Sequence, residues 1–226
     1  MTVPHALVCF DLPCLVRPAE GVAHEALDRA LRRLGVGPGT SAHSAALRCG
    51  LRWPGVAAKE MFRLLFGSAD RGEAGAAAFD DAFGVMIARR GAAVAPGAAA
   101  VVAACRQSGT AVCVTTEFSA ATREAVLDVL DWAELVAMTV SPGNGHDGDA
   151  VPAVRTAAAR ALVPRGDRLA VVSGTRSGVR AGVAAGAGAV IGIPAEDDEA
   201  VLGAAGATLV CDLAGLTDRW SRQLVG

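Results

Sequence analysis

Short, mainly apolar segments occur at residues 5–10, 111–115, 135–140, 168–173, 189–193 and 208–211. A strand covered on both faces has no alternating polar positions, so each run is predicted as a buried strand. Between the first run and the second, the pattern changes period. Val22, Ala26, Leu27, Ala30, Leu31 and Leu34 recur at spacings of three and four, and Gly35 and Gly37 end the stripe. Further helices are predicted over 41–47, 56–66 and about 72–90, with no strand inside this block. Beyond Pro96-Gly97, helices are predicted over 98–108, from Ser119 to about 130, over 152–162, 177–185 and 196–205, and at the chain's end.

Strands alternating with helices imply right-handed crossovers and a parallel sheet. The predicted fold is therefore α/β, a doubly wound parallel Rossmann-like sheet with a helical cap inserted after the first strand. Residues 1–16 and 93–226 would form the core domain and 17–92 the cap. Ligands of such sheets bind beyond the carboxyl ends of the strands. Here those ends are Asp11, Thr115, Val140-Ser141 and Ser173. A cap over them would exclude water and gate entry.

Composition narrows the partners. Hydrophobic residues make up 52% of the 226 and charged residues 19%, enough for a buried core and against disorder. The net charge is −2 and the basic residues, all arginine except Lys59, form no tract. No nucleic-acid partner is expected. The Ala/Gly-rich stretch 91–105 stops at Arg106, short of the roughly 20 residues that cross a bilayer, so no membrane partner is expected. The start of the chain has no basic segment before its apolar run, and no signal peptide is read there. Six cysteines without a CxxC pair suggest reduced thiols and a cytoplasmic location. The four histidines have no metal-ligand spacing, and no metal site is expected.

The segments LVCFDL (7–12), HEALDRAL (24–31), VCVTTEFSAATREAVLDVL (112–130), LAVVSGTRSGVRAGVAAGAGAVIGI (169–193) and GATLVCDLAGL (206–216) follow one another in a known order. The chain resembles the haloacid dehalogenase superfamily, and within it the phosphonatase-like branch with phosphonoacetaldehyde hydrolase and β-phosphoglucomutase. The resemblance covers nearly the whole chain, but the family's chemical positions are altered. The DxDGT or DxAGT motif, whose first Asp attacks phosphorus and ligates Mg²⁺, falls on Asp11-Leu12-Pro13-Cys14-Leu15. The nucleophile position survives as Asp11, while Pro13 stands at the acid/base position. The phosphoryl-holding Ser/Thr is Thr115. The Lys or Arg that balances charge falls on Asp149. The GDTxxD motif becomes Ser173-Gly174-Thr175-Arg176-Ser177-Gly178, with glycine at both acidic positions. The lysine that forms a Schiff base in phosphonoacetaldehyde hydrolase would align with Ala58, next to Lys59.

Phosphoryl transfer depends on charge neutralisation. The resemblance therefore implies a lost Mg²⁺ site and no cofactor. The expected function is metal-independent acid/base or covalent chemistry on a small organic substrate. The alternatives are a non-catalytic small-molecule or partner-binding relative, and a residual phosphonatase-like hydrolase with Asp11 as nucleophile. The candidate catalytic residues are Asp11, Glu117 and Thr115. Each also has a structural reading: Asp11 as a turn cap or relic, Glu117 as an acid at a helix N-terminus, and Thr115 as an ordinary strand end. Candidate substrate contacts are Cys14, Trp53, Lys59, Arg63, His146, Ser173 and Thr175. Against these stand a structural thiol, a core tryptophan, a solvated helix face and an exposed loop histidine. Large apolar residues in 56–66 lead to the expectation of a homodimer through the cap.

Overall fold

A computed structural model describes residues 5–48, 56–141, 150–163, 166–194 and 198–222. At its centre is β1 (Leu7–Asp11), whose Leu7, Val8, Cys9 and Phe10 are fully buried. It lies between β4 (Ala111–Thr115) and β6 (Leu169–Ser173), both parallel to it. The pairing runs from Leu7↔Ala111 to Asp11↔Thr115 on one side and from Leu7↔Leu169 to Phe10↔Val172 on the other. With β5 (Met138–Val140), β7 (Ala189–Gly192) and β8 (Leu209–Val210) the order is β5-β4-β1-β6-β7-β8, a six-stranded sheet of parallel pairs. The fold is thus α/β and Rossmann-like. The chain works outward from β1 to β5, then returns past β1 and works outward again from β6. The strand order reverses between β1 and β6.

Helices pack on the sheet because its central strands β1, β4 and β6 are buried on both faces. On one face, α8 (Ala150–Arg160) and α9 (Arg176–Ala184) place Val154, Ala157 and Ala181 against Leu7, Cys9, Cys113, Leu169 and Val171. Elsewhere in the same unit α6 (Ala98–Gln107) packs on α11 (Leu213–Arg222), and Trp220 Nε1 donates to Ser108 Oγ at 3.2 Å. A single helical turn, α1 (Leu12–Leu15), follows β1 directly, with all four residues buried. It is too short to give a periodic signal, and the sequence pattern does not reveal it.

The chain divides into two compact units, Met1–Arg17 with Val94–Thr116 and Trp132–Gly226, and Pro18–Ala93 with Glu117–Asp131. A two-stranded sheet, β2 (Val16–Pro18) with β3 (Ala92–Val94), marks where the chain leaves the first unit and returns to it. The second unit holds α2 (Val22–Arg33), α3 (Ser41–Arg48), α4 (Val56–Phe66), α5 (Ala69–Arg90) and α7 (Ala120–Val129). The helix read from about 72 begins at Ala69, since Ser68 accepts from Arg71 N–H and caps it. The segment 117–131, read by sequence with the sheet, groups with these helices. Phe118 stacks on Phe83 at 4.8 Å, and Gly84 lets Thr122 approach α5. The strand read over 135–140 shrinks to its last three residues, because Leu135 N–H closes a turn on Trp132 C=O. Among the described residues no helix is long and apolar enough to cross a membrane. On α4, Phe62 is buried in the helical unit, while Leu64 is 69% exposed.

Candidate functional site

Asp11 ends β1 and Ser173 ends β6, so they flank the reversal of strand order. This is the position where open α/β sheets take their ligands. Ser173 Oγ donates to Asp11 Oδ2 at 3.0 Å, joining residues 162 apart in the chain. Ser173 is fully buried, whereas Asp11 keeps part of its surface. Asp11 stands at the N-cap of α1, but its side chain makes no capping bond.

The hydroxyl of Ser173 is held on several sides. It accepts from Thr175 N–H at 3.1 Å and lies 3.3 Å from Thr175 Oγ1. Thr175 is the N-cap of α9, where its Oγ1 accepts from Gly178 N–H at 3.2 Å, and it lies 3.2 Å from Ser177 Oγ. Asp11, Ser173, Thr175 and Ser177 thus form a continuous polar chain from the strand end along the start of α9.

Burial pushes the Asp11 carboxyl up to about 6. Hydrogen bonds from Ser173, the Leu12 amide and Thr175 pull it down without cancelling that shift. The cause is desolvation, which disfavours the charged form wherever no cation compensates.

Thr115 is also buried, and its Oγ1 donates to Phe10 C=O at 3.3 Å, tying β4 to β1 beside Asp11. Cys14 is fully buried in α1. Asp11, Ser173, Thr175, Thr115 and Cys14 therefore all belong to the first unit. Glu117, Lys59 and Arg63 belong to the second. Lys59 Nζ bonds Glu73 Oε1 at 3.0 Å, and Arg63 backs onto Gly72, its Cβ 3.1 Å from where a Gly72 Cβ would lie. Trp53, His146 and Asp149 lie outside the described residues.

Two features escaped the sequence reading. Gly178 was seen only as the absence of an acid. A Cβ there would overlap Ser173 Oγ, so the glycine is also a spatial requirement. The signal was present in the motif itself, where a side chain appears at 173 and one disappears at 178. The second feature is in the helical unit. Buried His43 places Nε2 2.8 Å from Asp28 Oδ1, and Asp28 also accepts from Arg32 Nε at 2.7 Å. Residues 28 and 43 lie on different helices, and no spacing rule links them.

No protein-family model and no curated protein matches the chain. Solved structures do match it, at low sequence identity. A predicted phosphatase from Clostridium acetobutylicum is 17% identical with a TM-score of 0.80, over 96% of this chain and 98% of that one. A phosphonoacetaldehyde hydrolase-like protein from Oleispira antarctica is 15% identical with a TM-score of 0.72, over 98% and 95%. CbbY from Rhodobacter sphaeroides, in complex with phosphate, is 19% identical with a TM-score of 0.69, over 94% and 96%. The chain shares its fold with these solved structures along nearly its whole length.

Proposed function

We propose that this chain uses the haloacid dehalogenase-like fold for chemistry without a divalent cation. In this reading Asp11 serves a small organic substrate as general acid and base, or as a nucleophile at carbon. The observation that carries it is the Ser173–Asp11 hydrogen bond at 3.0 Å, with glycine at 174 and 178.

The residues present do not fit Mg²⁺. That ion takes near-octahedral oxygen ligands and keeps several waters, with one or two carboxylates and substrate phosphate supplying the rest. Asp11 instead accepts from hydroxyl and amide donors. A carboxyl raised to about 6 suits proton transfer, because both of its forms are populated near neutrality. A phosphate dianion would meet the opposite of what it needs, a desolvated carboxylate whose partners among the described residues are hydroxyl and amide groups.

A second reading is a non-catalytic binding protein. It is favoured by the Thr115 and Ser173 hydroxyls, both already bonded within the protein.

The test begins with thermal-shift screening of small organic acids, aldehydes and halides to find a compound that protects the fold. Turnover of that compound is then measured with and without EDTA. Turnover unaffected by the chelator supports the first reading, and protection without turnover supports the second. Chelator-sensitive hydrolysis of a phosphate or phosphonate ester would overturn both.

A further inference from the structure

α9 approaches β6 along a face of small residues. Gly178 and Gly182 are four residues apart and share that face. A Cβ on Gly182 would stand 2.9 Å from Val171 Cβ. One on Gly178 would stand 2.7 Å from Ser173 Cβ and overlap its Oγ. Neither position accepts a larger residue unless the strand or the helix moves. The partners differ, however. Gly182 meets an apolar core side chain, while Gly178 meets the hydroxyl that is bonded to Asp11.

Ser173 has little freedom to give way. It is fully buried, and Thr175 fixes its hydroxyl through the main-chain amide. Thr175 is fixed in turn by the amide of Gly178. A side chain starting at 178 would begin where the Ser173 hydroxyl lies, and that hydroxyl is 3.0 Å from Asp11 Oδ2. Ser173 thus fills the space from which a side chain at 178 would approach the Asp11 carboxylate.

We propose that Ser173 and Gly178 act as one unit that closes the Asp11 carboxylate to divalent cations, Ser173 being the positioning residue that takes the cation-side contact. The proposal deepens the metal-free reading of the Asp11 site and rests on it. Its chemical content is an exchange of volume between two positions: a hydroxyl gained at 173 requires the side chain lost at 178.

The pairing is tested by a thermal-unfolding cycle of the full chain with Gly178→Ala, Ser173→Gly and both together. Gly178→Ala alone is expected to lower Tm by about 4–8 °C through overpacking. In the Ser173→Gly background the same change is expected to cost less than half of that. Additive losses would overturn the pairing. Closure is tested by calorimetric titration with Mn²⁺ as the probe. Wild type, Ser173→Gly and Gly178→Asp are expected to show no saturable binding. Ser173→Gly with Gly178→Asp should bind at least about tenfold more tightly than any of them. A folded double variant that binds no tighter overturns the closure. If that variant does not fold, the alanine cycle still decides the pairing. Mn²⁺ binding by wild type that Asp11→Asn removes would instead overturn the metal-free reading itself, which separates the two failures.

Discussion

Asp11 and Asp28 carry the same carboxyl group in opposite settings. Asp28, in the helical unit, accepts from His43 at 2.8 Å and from Arg32 at 2.7 Å. The His43 hydrogen bond, followed by that of Arg32 and the attraction of both groups, holds it below the ordinary carboxylate range. Asp11, in the sheet unit, has hydroxyl and amide partners among the described residues, and burial carries it up to about 6. The helical unit balances its charge in other places too, as with Arg90 and Glu25 at 3.1 Å or Lys59 and Glu73 at 3.0 Å. A carboxylate matched with cations stabilises the elements it joins and has little free energy left for proton exchange. An unmatched one costs stability and stays responsive to a ligand.

The largest expected effect concerns function. With a compound found by thermal shift, Asp11→Asn should lower kcat/KM by about 10²–10⁴, the range for loss of a general acid or base. Full activity in the variant would leave Asp11 no different in role from Asp28.

The next effect is on stability and reverses the usual expectation for an aspartate. A carboxyl whose folded pKa is raised contributes stability that is fully present below its unfolded value, near 3.8, and lost as pH rises through about 6. Asp11→Asn should therefore raise Tm at pH 8, by an amount corresponding to about 2–3 kcal/mol. The gain should fade below about pH 3, where Asp11 is neutral in the folded and the unfolded chain. A Tm difference independent of pH would break the contrast with Asp28.

His43→Ala should lower stability by about 1–3 kcal/mol, since it leaves a charged acceptor short of a buried donor. The sign for Asp28 is opposite to that for Asp11. Its lowered pKa contributes stability above the unfolded value, and this is lost as the pH falls through the folded one. The cost of His43→Ala should thus shrink in acid, as followed by circular dichroism melts between about pH 7 and pH 3.

The smallest effect tests whether charge pairing alone matters in the helical unit. Arg33 and Asp81 meet at 3.4 Å with both side chains more than half exposed. Arg33→Ala should change stability by less than about 0.5 kcal/mol by denaturant titration. A larger loss would show that exposed pairs carry the unit.

Much of the fold was legible in the chain, though the Asp28–His43 pair was not. The six strands, the helical insertion after the first and the placement of Asp11 at a strand end all follow from local period and polarity. Boundaries were weaker. The single turn of α1 and the short β5 leave too few residues for a period, and 117–131 joins the helices through Phe118 and Thr122, contacts that no local window contains.

The sequence by itself determined the order of elements, the survival of Asp11 and Thr115, and the replacement of two acids by Gly174 and Gly178. Periodicity and motif spacing are properties of neighbouring residues, and folding does not change them. Tertiary structure decided what those residues meet. Only the folded chain brings Ser173 to Asp11 across 162 positions, and only the approach of α9 to β6 turns Gly178 from a missing acid into a space that Ser173 needs. Only the packing of α3 on α2 gives Asp28 its histidine. The reason is physical: the pKa of a carboxyl depends on the solvent it loses and the partners it gains, and both are set by distances through space.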